Sequence, residues 1–171
     1  PSKENRHEPI TGQALLLDAD LVPLAMQMYP GNESEKPNIR KIIQEMKERY
    51  KVAGKTVQVA DKGLNCARNI YAAVVEARDG YIFSKSIHGK GLSEKEKQWI
   101  LLENDANVYT DYRDKDGKLL FRLKSCVDTF SYKFRESDPE TGLEKEFSFQ
   151  VKEKRIVSYN PSLAQKQKAG H

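Results

Sequence analysis

The feature that most limits what this chain can fold into is a change of periodicity near residue 104. Residues 12 to about 103 alternate strand-like and helix-like segments, whereas residues 104 to about 159 read as strands alone. Such an order predicts an α/β sheet layered with helices, followed by an all-β region.

In the first region Gln13-Ala14-Leu15-Leu16-Leu17 is an apolar run suited to a buried strand. Asp18-Ala19-Asp20 supplies turn chemistry and Val22 to Met28 resumes an extended pattern, so the two runs predict a hairpin. Pro30-Gly31-Asn32 stops it, and Asn32 or Ser34 can cap the helix that follows. There Ile39, Ile42, Ile43, Met46 and Tyr50 fall on one helical face, and Gly54 is predicted to end the helix. Thr56-Val57-Gln58-Val59-Ala60 is a short strand that delivers Asp61 at its C-terminal end. Gly63 makes a turn into a helix over Cys66 to Ala77, with Ile70, Ala73, Val74 and Ala77 facing inward. Tyr81-Ile82-Phe83 is another strand, and Ser93 with Glu96 forms a capping box for a helix through Trp99-Ile100-Leu101. The order β-β-α-β-α-β-α predicts one mixed sheet.

From Asn104 onward Val108 to Tyr112, Leu119 to Leu123, Thr129 to Phe134 and Glu146 to Val151 read as strands. Asp114-Lys115-Asp116-Gly117 and Asp138-Pro139-Glu140-Thr141-Gly142 are the turns between them. The residues after Pro161 begin a helix.

Composition narrows the class. The 171 residues are 38% hydrophobic and 32% charged, with a mean hydropathy of -0.73 that is low for a self-contained enzyme of this size. No apolar run approaches the roughly 20 residues of a membrane helix, and no signal peptide opens the chain. The first residue is Pro1 and not Met, which implies a piece of a longer polypeptide. Cys66 and Cys126 have no CxxC or Cys/His cluster around them, which argues against zinc and against a disulfide framework. They read as two reduced thiols of a cytoplasmic protein. The net charge of +4 is compatible with nucleic acid without demonstrating it.

Several local motifs dissolve on inspection. Gly54-Lys55-Thr56 is no P-loop, because Arg49 stands where the leading glycine belongs and the triplet runs from helix to strand. Gly89-Lys90-Gly91 lacks a third glycine at Glu94 and reads as a flexible loop. Asp18 and Asp20 form a carboxylate pair, yet their place between two apolar strands favours a hairpin turn over a metal site. His7, His88 and His171 have no Ser or Cys partner suggested by spacing. Asp61 differs from these. Carboxylates at the C-terminal ends of strands face the crevice where α/β sheets bind ligands, although many such domains keep a structural Asp there.

Four phrases sharpen the reading: Ser2-Lys3-Glu4-Asn5-Arg6, Leu17-Asp18-Ala19-Asp20-Leu21-Val22-Pro23-Leu24, Tyr29-Pro30-Gly31-Asn32-Glu33-Ser34 and Val59-Ala60-Asp61-Lys62-Gly63-Leu64. In this order and spacing they resemble the DDE transposase domain of bacterial insertion sequences, strongly over residues 1 to about 87. Val151-Lys152-Glu153-Lys154-Arg155 resembles it more weakly.

That resemblance implies an RNase H-like fold in which three acidic residues bind two divalent metals, Mg2+ or Mn2+. It makes Asp61 the second Asp of the triad, a catalytic and metal-binding residue, with the first Asp upstream of Pro1 and the Glu past His171. It also implies transposon-end and target DNA as partners, and a homodimer of the whole protein. Residues 1–103 are then a partial RNase H-like core lacking its first strand, with flanking helices. Residues 104–159 are a β insertion, and 160–171 start a return helix or tail. Lys62 stands where similar sequences often carry Arg, which keeps the charge and loses the bidentate fork. Lys62, Lys85 and Lys90 are candidate phosphate contacts, with solvated surface lysines as the plain alternative. Two cations between clustered carboxylates activate a nucleophile and stabilise the leaving oxygen of a phosphodiester attack. One aspartate cannot do this, so the chain by itself is predicted to be inactive. The competing readings are a non-enzymatic nucleic-acid or protein interaction module, with Asp61 structural, and a nuclease of the same fold.

Overall fold

The computed structural model describes residues 11–30, 35–85, 87, 92–103, 108–138 and 140–169. The chain forms two compact units, 1–85 and 86–171. Helices and strands mix in small sheets, as expected of an α/β chain.

In the first unit β1 (Thr11–Leu17) and β2 (Pro23–Pro30) pair antiparallel as a hairpin. The Asp18 Oδ1 makes the expected turn, accepting the backbone N–H groups of Asp20 and Val22. Gly12 faces Tyr29 across the ladder, and a Cβ there would lie 2.2 Å from the ring, so no other residue fits without displacing the tyrosine.

Helix α1 (Glu35–Arg49) buries Ile42 and Met46 as its periodicity requires, while Tyr50 lies beyond the helix and is exposed. The helix stops five residues before Gly54. Lys51 takes a left-handed conformation (φ 49°), its N–H bonds the Glu48 carbonyl, and the Val52 N–H bonds the Lys47 carbonyl. This is the two-bond C-terminal cap that usually recruits glycine, built here on lysine.

Strand β3 (Val57–Ala60) pairs parallel with β4 (Gly80–Phe83), joined through α2 (Ala67–Tyr71) and a π-helical continuation (Ala72–Glu76). The π turn corrects the expected helical face. Its i→i−5 bond from the Ala77 N–H to the Ala72 carbonyl inserts an extra residue, so Ile70 and Ala73 stay buried while Ala77 rotates outward. Ile42, Met46, Ile70 and Ala73 form the small core among the described residues.

The expected single mixed sheet is present as two separate two-stranded sheets, β1–β2 and β3–β4. The covered side of the first carries Ala14, Leu16, Ala25 and Tyr29, and that of the second Gln58, Ala60, Tyr81 and Phe83. Other large apolar residues point the other way. Leu15 is 56% exposed, Met26 58%, Val59 74% and Ile82 63%. These outward faces depart from the usual pattern, in which the uncovered face of a half-buried sheet is polar.

In the second unit α3 (Glu94–Leu101) begins with the expected capping box. Ser93 caps the Glu96 N–H, and the Glu96 carboxylate accepts the Ser93 N–H. Strand β5 (Thr110–Arg113) pairs with β6 (Leu119–Ser137), which pairs along its length with β7 (Glu144–Tyr159). The two strands expected at 119–123 and 129–134 are one 19-residue strand, because no Gly, Pro or Asn interrupts residues 124–128. Both expected turns are present: Asp114 accepts the Asp116 and Lys118 N–H groups, and Asp138 accepts those of Glu140 and Thr141. Helix α4 (Pro161–Ala169) starts with proline and is capped by the Asn160 side chain on the Leu163 N–H. No described helix is long and apolar enough to cross a membrane.

Candidate functional site

Residues 56–60 carry two β-branched valines and a threonine, so the chain enters the site as a strand. The parallel ladder sets Ala60 beside Phe83, and the Ser84 N–H continues it by donating to the Ala60 carbonyl at 3.0 Å. Asp61 and the Ser84-Lys85 segment therefore lie at the same, C-terminal end of the β3–β4 pair. Asn65 ties the two together, its side-chain amide donating to the Ser84 carbonyl at 3.0 Å.

Asp61 opens a tight turn. Its Oδ1 accepts the Gly63 N–H at 2.5 Å, and its own carbonyl accepts the Leu64 N–H at 3.1 Å. The residue is exposed, and its second carboxylate oxygen has no hydrogen-bond partner among the described residues. Beside it the outer edge of β3 is unpaired, since β3 bonds β4 alone among the described strands.

The turn is braced from below by residues that sequence reasoning did not single out. Arg40 on α1 donates to the buried Asn69 side chain at 2.7 Å, and the Asn69 amide donates to the Leu64 carbonyl at 2.8 Å. A buried amide that satisfies both its carbonyl and its NH2 in this way fixes the turn after Asp61 with respect to α1. A single Asn in a helix carries no sequence signal of this role. A second brace lies under the N-terminal end of the same sheet. The Asp79 side chain accepts from Lys47, the Thr56 N–H and Gln58. Burial pushes its carboxyl upward, yet these donors outweigh it and hold the group below its ordinary value.

Lys62 and Lys85 are both exposed and stand at the same end of the sheet as Asp61. Lys90 lies outside the described residues. Among the described residues no group of three or more His, Cys, Asp or Glu side chains is placed to hold a metal ion. Asp61 offers one uncommitted oxygen, and a divalent cation that needs a shell of oxygen ligands is not held by one. The described residues therefore do not by themselves build a site for Mg2+ or Mn2+.

No family model, no curated protein and no solved structure matches the chain.

Proposed function

We propose that this chain is part of a DDE-type DNA transposase, a protein that cleaves DNA and joins it to a target, and that Asp61 is one of its catalytic carboxylates. The observation that carries the reading is the setting of Asp61. It is exposed at the C-terminal end of a parallel strand, keeps one oxygen uncommitted, and stands next to an unpaired strand edge. That is where an incoming strand would bring a second carboxylate within reach of the first.

Two features of the first unit fit the same account. Two small sheets that do not bond each other are what an RNase H-like mixed sheet leaves when its joining strand lies elsewhere in the polypeptide. The uncovered apolar residues of each sheet, Leu15 and Met26 on one and Val59 and Ile82 on the other, ask for another layer. On this account Lys62 and Lys85 approach DNA phosphates, and the metal ions that supply the phosphoryl chemistry need carboxylates from beyond these residues. The chain alone then neither nicks nor joins DNA. The partners are element-end and target DNA.

The test is Mn2+-dependent nicking of element-end DNA by the complete polypeptide, wild type against Asp61→Asn. Loss of nicking in a variant that still binds the DNA supports the reading, and undiminished nicking refutes it.

One observation favours a second reading, a non-enzymatic interaction module. Asp61 spends its Oδ1 on the Gly63 N–H, as a structural turn residue does. The same nicking assay separates the two, because a module of that kind shows no metal-dependent cleavage.

A further inference from the structure

The run Lys152-Glu153-Lys154-Arg155 looks like mixed charge in sequence, but strand alternation sorts it. Glu153 and Arg155 share one face of β7, where they bond each other at 3.1 Å; Arg155 also donates to the Tyr132 hydroxyl and to Glu96. Lys152 and Lys154 take the opposite, outward face, where Thr129 and Val127 are their cross-strand neighbours.

That outward face is one-sided in charge. Over the five rungs from Ser125 to Lys133 it carries Lys133, Lys152 and Lys154 and no carboxylate, and every residue on it is exposed. Thr129, Ser131 and Gln150 lie between the lysines and add hydroxyl and amide donors. Its first carboxylate, Glu146, comes one rung further toward the hairpin end. It is already met by Arg135 at 3.3 Å and Lys133 at 3.8 Å. Neither Lys152 nor Lys154 joins an ion pair among the described residues. The acids Asp128 and Glu153 sit on the other face.

We propose that the outward face of the β6–β7 ribbon holds duplex DNA through its phosphates, with Lys152 and Lys154 as the anchoring cations. The choice of DNA over another polyanion rests on the transposase reading above; the face itself is argued from charge and shape. A two-stranded antiparallel ribbon fits the B-form major groove. The five rungs extend over about 27 Å at about 3.4 Å per residue, the length of roughly eight base pairs. Lysines on flexible stems suit phosphates more than base edges, so the face binds without sequence preference.

The experiment is fluorescence anisotropy of the whole 171-residue chain on a labelled 20-base-pair duplex, in the absence of divalent metal, across a series of salt concentrations. The wild-type chain is expected to bind with a salt dependence that reflects several phosphate contacts. The doubly substituted Lys152→Gln, Lys154→Gln chain is expected to bind at least about tenfold more weakly, with the slope of log K against log salt smaller by about 1.8. Thr129→Glu, which sets a carboxylate opposite Lys152, is expected to weaken binding in the same direction. Lys115→Gln, Lys118→Gln in the β5–β6 turn is expected to bind as the wild type does. Far-UV circular dichroism checks that each variant folds. Wild-type affinity and slope in the double variant overturn the proposal. So does a wild-type chain without salt-dependent duplex binding. Because no metal is present, the outcome does not depend on Asp61, and the transposase reading can fail without this one.

Discussion

Lys47 on α1 donates to both carboxylate oxygens of Asp79, at 2.8 and 3.0 Å. The Asp79 side chain is fully buried and also accepts from the Thr56 N–H at the start of β3, so one carboxylate joins helix, strand and the loop before β4. Removing it leaves the Lys47 ammonium and a backbone N–H without their acceptor. Asp79→Ala is expected to destabilise the first unit by about 3 kcal/mol, read as a shift of the urea unfolding midpoint. The lowered carboxyl adds a pH prediction. Its stabilisation is present above the ordinary carboxylate pKa and is lost as pH falls below it, so the gap between wild type and Asp79→Ala should narrow in acid.

Tyr132 predicts a loss at the opposite end of the pH scale. Its hydroxyl donates to Glu153 at 2.5 Å, and burial followed by that bond pushes its pKa from 10.0 up to about 12. The unfolded chain ionises this tyrosine first, so its contribution is whole below pH 10 and is lost between about pH 10 and 12. Thermal unfolding of wild type against Tyr132→Phe is expected to show a smaller alkaline decline in the variant over that window. An identical decline in both proteins contradicts the assignment.

Glu96 is used twice. One carboxylate oxygen accepts the Ser93 N–H and hydroxyl, and the other takes Arg155 from β7, so the start of α3 is pinned to the ribbon. Ser93→Ala removes a cap and is expected to cost about 1 kcal/mol. Glu96→Ala removes cap and ion pair together and is expected to cost about 2 kcal/mol. Chemical denaturation of the two variants checks the order. A Ser93→Ala loss at least as large as that of Glu96→Ala contradicts the double role.

Much of this architecture was legible along the chain, because its signals are local. The Ser93–Glu96 box, the Asp114 and Asp138 turns and the Ile42–Met46 face each depend on residues within a few positions of one another. What escaped has the opposite character. The Schellman cap at Lys51 lacks its usual glycine, and the π turn at Ala72–Glu76 changes no residue type. The split of the mixed sheet depends on pairing between distant strands. At the site, the end of a β-branched strand announced Asp61, but the braces beneath it join Arg40 to Asn69 and Lys47 to Asp79 across 29 and 32 residues. No spacing rule connects such pairs.

The most direct test of the central claim is strand transfer of a pre-cut element end bearing a free 3′-hydroxyl, carried out by the complete polypeptide with Mn2+, comparing wild type with Asp61→Asn. This substrate bypasses first-strand nicking and reads the joining step alone. Asp61→Asn is expected to bind the cut end as the wild type does and to join it at least about a thousandfold more slowly. Joining by Asp61→Asn at the wild-type rate contradicts that claim.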